Sequence, residues 1–327
     1  MEKQGSRKIT LAKIGNLLQI REVSLLLIIV ILCAVLASAT SNFLKPANFR
    51  VLLQGMSTDM MIAIPMGISL IAGNIDFSVG SNLCLTSAIT GLALNNGIGV
   101  FPSVLIGLAC GILLGLVNGV SVNNLKLTPL VGTLGTWMAY RGIALVVLNS
   151  GTLSRFPDGF LILGRATVFG IPISIIYMFA IIFLGIFALK YINFFHNAYF
   201  IGSNKLSATL AGINRSKFVY ISYALTGMIA AFAGIIMTAR LGSATQFAGN
   251  GLEFRIVVGI LVGGISMDGG EGNLIGMFLG VLLMQLVGNA IVLLYLNPSY
   301  TQVINGFILI GAIAVDMLIK QKKVTSV

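Results

Sequence analysis

Apolar residues come in long blocks along this chain, separated by short polar or glycine-rich connections. Runs long enough to cross about 30 Å of hydrocarbon occupy residues 23–43, 50–72, 77–95, 99–122, 127–149, 171–191, 217–239, 252–266, 274–296 and 300–319, the eighth being the shortest. This pattern predicts an all-α polytopic membrane protein with about ten transmembrane helices, some of them broken at Gly or Pro. No polar-rich stretch is long enough to fold as a soluble domain, so a single membrane domain over 23–319 is expected, flanked by a basic segment at 1–22 and a tail at 320–327. Composition agrees: 57% of the 327 residues are hydrophobic and 9% charged, and the mean hydropathy is +1.00, outside the range of soluble domains.

The charges orient the chain. With Met1 cytoplasmic, the inner side holds thirteen basic residues: Lys3, Arg7, Lys8, Lys13, Arg21, Lys126, Lys190, Lys205, Arg215, Lys217, Lys320, Lys322 and Lys323. The outer side holds six: Lys45, Arg50, Arg155, Arg165, Arg240 and Arg255. This bias predicts cytoplasmic N and C termini. The net charge of +11 follows from topology and anionic lipid and calls for no nucleic-acid partner. The basic N-terminus and the small residues Ala37-Ser38-Ala39 imitate a signal peptide. The apolar run is longer than the usual h-region, however, so an uncleaved first span is expected, with Leu11, Ile14 and Leu18 in a preceding interfacial helix.

Candidate chemistry is sparse. One histidine, His196, rules out a His-based catalytic or metal cluster within one protomer. Cys33, Cys84 and Cys110 lie in apolar runs without a CxxC and read as buried thiols. No GxxxxGK[ST] loop is present to cradle nucleotide phosphates. Transport, not catalysis, is the expected work of this chain, and no cofactor or metal is expected on it.

Transport directs attention to interrupted helices, whose freed backbone groups need partners or a water-filled cavity. In 55–81, Pro65 falls inside a span and Gly73-Asn74-Ile75-Asp76 precedes a helix restart near Ser78 and Gly80; Asp76 reads as a cap or as a pathway residue. Asp59, inside the second span, must face protein or water. In 125–142, Thr128-Pro129 marks a helix start, and Gly132, Gly135 and Gly142 allow close packing. Arg141 there snorkels outward, pairs with a carboxylate such as Asp59, or lines a hydrophilic path, in that order of expectation, while Trp137 and Tyr140 face lipid or the path. In 249–276, a short span leads to a turn rich in glycine, with Gly263, Gly264, Gly269 and Gly270 as breaks. This arrangement parallels the GNIDFSVGS region and suggests an internal repeat.

Between two spans, Tyr199 to Lys217 reads YFIGSNKLSATLAGINRSK. Ser203 or Asn204 can cap a helix of about two turns, and Gly212 can end it. Leu206, Leu210 and Ile213 form a stripe at i, i+4 and i+7, suited to a membrane surface or a partner's groove, or the segment is an ordinary solvated loop.

The runs GNIDFSVGS, TPLVGTLGTWMAYRG, IGSNKLSATLAGIN and GNGLEFRIVVGILVGGISMDGGEG, in this order and spacing over nearly the whole chain, resemble the permease subunits of bacterial ATP-binding cassette importers for ribose and related monosaccharides, including autoinducer-2. The resemblance implies two cytoplasmic ATPase subunits that bind ATP and Mg, a second permease copy or paralogue, and a periplasmic sugar-binding protein. It identifies 192–217 as the coupling loop, with Gly202, Ser203, Asn204, Lys205, Ser207, Ala208, Ala211, Gly212 and Asn214 as ATPase-facing positions. Ser203 replaces the family's usual second glycine, Asn74 stands where glycine is common, and Arg255 stands where an aspartate is usual, reversing charge near the expected outer mouth. Loaded binding protein would dock on 150–170 and 241–255, and the sugar would pass along the dimer seam. For a neutral polyhydroxylated solute the expected pathway candidates are Asp59, Asn74, Asn118, Thr133, Gln285 and Asn289, each also readable as an interhelical hydrogen bond. The alternatives are an amino-acid permease of the same class and an ion-coupled secondary transporter using Asp59.

Overall fold

The computed structural model describes residues 21–325; the helix expected around Leu11, Ile14 and Leu18 lies outside them. Each of the ten apolar runs contains one principal helix: α1 (Arg21–Ala39), α2 (Pro46–Ile71), α3 (Val79–Asn95), α4 (Val100–Asn123), α5 (Pro129–Val147), α7 (Ile173–Tyr191), α10 (Arg215–Leu241), α11 (Leu252–Val262), α12 (Leu274–Leu293) and α13 (Tyr300–Thr325). Seven of these, α1, α2, α4, α5, α7, α10 and α12, are long and apolar enough to cross a membrane. The connections carry three shorter helices, α6 (Asp158–Arg165), α8 (Asn193–Ser203) and α9 (Lys205–Leu210). Strands are minimal: β1 (Thr152–Ser154) pairs antiparallel with β4 (Ser243–Thr245), and β2 (Thr167–Val168) with β3 (Ile171–Pro172). Pro46 and Pro129 stand in the first turns of α2 and α5, where a missing N–H costs nothing.

Helix α2 runs through the middle. Every residue from Met56 to Ile71 is buried, whereas α1 lies at the edge with Leu26, Leu27, Val30 and Ile31 exposed. A helix apolar around its whole circumference belongs inside a bundle, and the small polar side chains of Ser57, Thr58 and Ser69 add little bulk there. The break expected at Pro65 does not form: α2 continues through it to Ile71. Its ring removes the helical donor of the Met61 carbonyl, and the surrounding core holds the helix together. Gly80 also proves to be a point of close approach inside α3 and not a break, since a Cβ there would sit 2.0 Å from Glu253 Oε2.

Glycine stripes set the closest helix pairs. On α4, Gly107, Gly111, Gly115 and Gly119 recur every four residues on the buried face, and the backbone of α10 lies against Gly111 and Gly115, while Gly107 faces Thr90 of α3. A Cβ on Gly115 would come 2.2 Å from the Tyr223 carbonyl oxygen, and one on Gly227 of α10 would come 2.2 Å from that of Gly111. Backbones this close gain dispersion contacts that larger side chains would prevent. The α11–α12 pair is built alike, with Gly259 against Gly280 and Gly263 against Gly276. A Cβ added at Gly135 or Gly142, expected to pack closely, would meet no other element within 4 Å among the described residues, and one at Gly132 would make only ordinary contacts.

One ion pair joins α2 to α11. Arg255 Nε donates to Asp59 Oδ2 at 2.7 Å and its NH2 group to Oδ1 at 2.8 Å. The bidentate fork satisfies a carboxylate that is otherwise fully buried. Arg141 is held instead by the Gln246 and Ala248 carbonyl oxygens at 3.2 and 2.8 Å. The charge reversal expected from Arg255 is therefore cancelled locally by Asp59, and of the three alternatives for Arg141 the pairing with Asp59 does not form.

Two outcomes follow. Gly115→Ala pushes a methyl into the Tyr223 carbonyl and should destabilise the α4–α10 pair by about 1–3 kcal/mol, seen as a lower melting midpoint of the purified chain in detergent. Arg255→Leu strands the Asp59 carboxylate and should cost about 3 kcal/mol, whereas the double change Asp59→Leu with Arg255→Leu should recover most of that loss, measured in the same melt.

Candidate coupling site and polar core

The polar segment before α10 folds as two helices that meet at Asn204. With β-region backbone (φ −156°, ψ 108°), Asn204 ends α8 and caps α9, its side-chain oxygen accepting the Ser207 N–H at 2.9 Å. Of the two expected caps, Asn204 serves; the Ser203 hydroxyl donates back to the Tyr199 carbonyl at 2.8 Å. Gly212 takes φ +79° after the helix ends, where a side chain would be strained, and Asn214 caps α10 by accepting the Lys217 N–H at 2.9 Å. The apolar stripe divides: Leu206 and Leu210 are 71% and 81% exposed, while Ile213 packs on the core. Lys205, Ser207 and Ala211 are exposed beside them and Ala208 is buried. A shallow cleft of about 280 Å³ is lined by Phe200, Ser203, Asn204, Ser207, Ala208 and Ala211. Two exposed leucines beside small residues make a surface that a partner's groove can cover.

Behind this surface, the stretches that carry Gly73, Gly202 and Gly269-Gly270 converge. A Cβ on Gly202 would lie 2.0 Å from the Ile71 carbonyl oxygen and 2.3 Å from the Gly270 nitrogen. The Gly270 N–H donates to that same Ile71 oxygen at 2.7 Å. Gly73, Gly264, Gly269 and Gly270 all have positive φ, and a Cβ on Gly269 would come 2.8 Å from Gly73 N. Gly263 ends α11. The Tyr199 hydroxyl closes the junction by donating to Gly272 O at 2.9 Å. The end of α8 therefore rests directly on the last carbonyl of α2 and on the turn between α11 and α12.

From the junction, residues 73–78 lead into a buried polar core. Asp76 Oδ1 accepts from the Ser78 N–H at 2.9 Å and from the Ser78 hydroxyl at 2.7 Å. The Asn118 amide donates to both Asp76 oxygens at 3.2 and 3.3 Å and to Ser78 Oγ at 2.7 Å, and accepts from Thr136 Oγ1 at 2.6 Å. Thr133 Oγ1 accepts the Phe77 N–H at 3.1 Å and donates to the Pro129 carbonyl at 2.7 Å. Tyr223 donates to Ile75 O at 3.0 Å. Asp76, Asn118 and Thr133 thus meet in one network joining α3, α4 and α5, and all three are buried. Asn74 is adjacent in the chain, and its Nδ2 meets no hydrogen-bond partner among the described residues.

The other expected pathway residues lie apart from it. Asp59 is held by Arg255. Asn289 and Asn48 exchange amide hydrogen bonds at 2.8 and 3.2 Å, tying α12 to α2. Gln285 lies over Gly55, where a Cβ would meet its Nε2 at 2.3 Å. Sequence reasoning did not single out Tyr199, Thr136 or the Ile71 carbonyl. Tyr199 and Thr136 stand inside quoted motifs, but which way they face depends on packing between distant helices.

Comparison with known proteins agrees with this architecture. Residues 48–313 match the family model described as branched-chain amino acid transport system / permease component. The chain is 32% identical to the probable ABC transporter permease protein YphD of Escherichia coli strain K12, over 93% of this chain and 91% of that protein. It is 31% identical to the ribose import permease protein RbsC of Bacillus subtilis strain 168, over 89% and 90% of the two chains. It is 30% identical to the autoinducer 2 import system permease protein LsrC of Enterobacter sp. strain 638, over 94% and 89%. No solved structure matches it. With a family model over most of its length and relatives aligned nearly end to end, this multi-pass membrane protein belongs to the family described as branched-chain amino acid transport system / permease component.

Proposed function

We propose that this chain is the permease of an ATP-driven, binding-protein-dependent importer that moves a monosaccharide, ribose-like or an autoinducer-2-type furanose, across the bacterial inner membrane by alternating access. The observation that carries the reading is the Gly202 junction: a solvent-facing two-helix segment that could receive a partner rests on the end of the central helix. Two ATPase subunits binding ATP and Mg would grip Leu206, Leu210 and the cleft around Asn204, and their closure would be delivered through α8 to α2 and the 264–272 turn. The ten helical runs cross the membrane in this reading with both termini cytoplasmic, as the basic bias favours. A second permease copy or paralogue completes the path, and the periplasmic binding protein docks on the opposite side.

A sugar is preferred over an amino acid although the family description names branched-chain amino acids. Curated relatives at this level of identity include ribose and autoinducer-2 permeases. A zwitterion also calls for accessible opposite charges, whereas Asp59 and Arg255 are spent on one another. The same pairing weighs against ion-coupled transport, because both Asp59 oxygens already accept from a guanidinium.

The test is reconstitution of the chain with its ATPase and binding protein in vesicles. Leu206→Asp with Leu210→Asp, both on exposed positions, should abolish co-purification of the ATPase and ATP-dependent sugar uptake while leaving the chain's melting midpoint unchanged. Normal uptake by this variant, or uptake with no ATPase present, would overturn the reading. Gly202→Ala drives a methyl into the Ile71 carbonyl; the expected result is an assembled complex that hydrolyses ATP but takes up sugar about tenfold more slowly.

A further inference from the structure

Beside the first turn of α11, three distant stretches of chain enclose a cavity of about 440 Å³, within the range of small-molecule sites. Trp137 comes from α5, Asn250, Glu253 and Phe254 from the start of α11, and Gln302 and Asn305 from α13. The two rings meet edge to face, centroids 6.4 Å apart at 78°. Among the described residues, Glu253 is the only ionisable side chain in the lining, and its Oε1 already accepts the Trp137 indole N–H at 3.0 Å. Two aromatic surfaces stand beside three side-chain amides, with no cation.

This chemistry selects among solutes. Among the described residues no cation lines the cavity to meet an amino-acid carboxylate, and a purely aliphatic molecule would leave the amides unpaired at a cost. A sugar ring has a face of C–H bonds, whose slightly positive hydrogens suit the negative face of an aromatic ring, and a rim of hydroxyls that donate to and accept from amides.

The cavity is also wired to the coupling site. Phe77 packs on Phe254, centroids 5.4 Å apart, and its N–H is held by Thr133, one helical turn before Trp137. Only Asn74, Ile75 and Asp76 separate Phe77 from Gly73, which faces the Gly269 turn at the Gly202 junction.

We propose that the Trp137–Phe254 cavity is a monosaccharide contact site within the transport path, with the sugar ring on the aromatic faces and its hydroxyls on Asn250, Gln302 and Asn305, and that Phe77 is a positioning residue carrying movement of the 73–78 segment to it. The proposal rests on the sugar-permease reading above and adds the place where the solute is recognised. Access would change as Phe77 shifts Phe254 against Trp137, so one movement would link the ATPase-facing segment to the grip on the sugar.

Trp137 is the chain's only tryptophan, so its emission reports on the cavity directly. The full chain in lipid nanodiscs is titrated with D-ribose and, as a control, L-leucine; the assembled importer is assayed in parallel for ATP-dependent D-ribose uptake and ATP hydrolysis. D-ribose should change the emission saturably at millimolar concentration, L-leucine should not, and Phe254→Leu should raise the half-saturating concentration about tenfold. In vesicles, Trp137→Ala should cut uptake about tenfold with stimulated ATP hydrolysis retained, and Trp137→Phe should restore most of it. Phe77→Ala should lower the rate of uptake while leaving the ribose titration of Trp137 emission nearly unchanged, a split that general destabilisation would not produce. If the wild-type importer takes up D-ribose yet Trp137 emission does not respond, or Phe254→Leu and Trp137→Ala transport like wild type, the site is wrong and the importer reading stands. If the assembled importer takes up L-leucine and not D-ribose, the sugar reading itself fails and the site with it.

Discussion

No side chain fits where α8 crosses the ends of α2 and α11. Gly202 lies so close to the Ile71 carbonyl and the Gly270 amide that even a methyl would overlap both, and those two groups are hydrogen-bonded to each other. Contact of backbone on backbone has no rotamer to absorb a push, and packed protein is stiff over such distances. A displacement of α8 must therefore move the turns it touches. Because the carbonyl belongs to a helix buried without interruption from Met56 to Ile71, the contact joins an exposed surface to the centre of the fold without intervening flexible side chains.

Charge is handled with similar economy. The Asp59 carboxylate is closed by a bidentate arginine, Asp76 by Ser78 and Asn118, Arg141 by two carbonyls, and one Glu253 oxygen by the Trp137 indole. A buried charge without such partners would cost several kcal/mol. With Asp59 and Arg255 spent on one another and Asp76 closed by its neighbours, the polar core of the bundle is built mainly of amides and hydroxyls. Such surfaces bind weakly enough to release what they bind, which suits conduction.

The architecture was largely legible because membrane thickness imposes a length on apolar runs, and each run became one helix. The short helix after Asn204 was legible through local chemistry: Asn204 and Gly212 do what an N-cap and a left-handed residue do, within a few residues of sequence. The breaks at Gly73 and Gly264 to Gly270 were visible for the same reason, whereas Pro65 was misleading because core packing overrode a local penalty. The glycine period on α4 was present in the sequence, but its partner on α10 lies more than a hundred residues away. Arg255 illustrates the remaining limit: its neighbours place it at a mouth, and only the approach of α2 to α11 supplies Asp59. Side-chain pairing across distant helices has no periodic signature.

The segment from Gly73 to Ser78 combines firm and loose elements in a way that bears on motion. Ile75, Asp76, Phe77 and Ser78 are each held by hydrogen bonds from or to α3, α4, α5 or α10. Gly73 takes φ +76°, a conformation glycine adopts without strain, and its N–H and that of Asn74 donate to Leu70 O at 2.8 Å and Ser69 O at 3.0 Å, closing the end of α2. A backbone contact on one side, a hydrogen-bonded block on the other and a glycine turn between them are the parts from which a hinge is built.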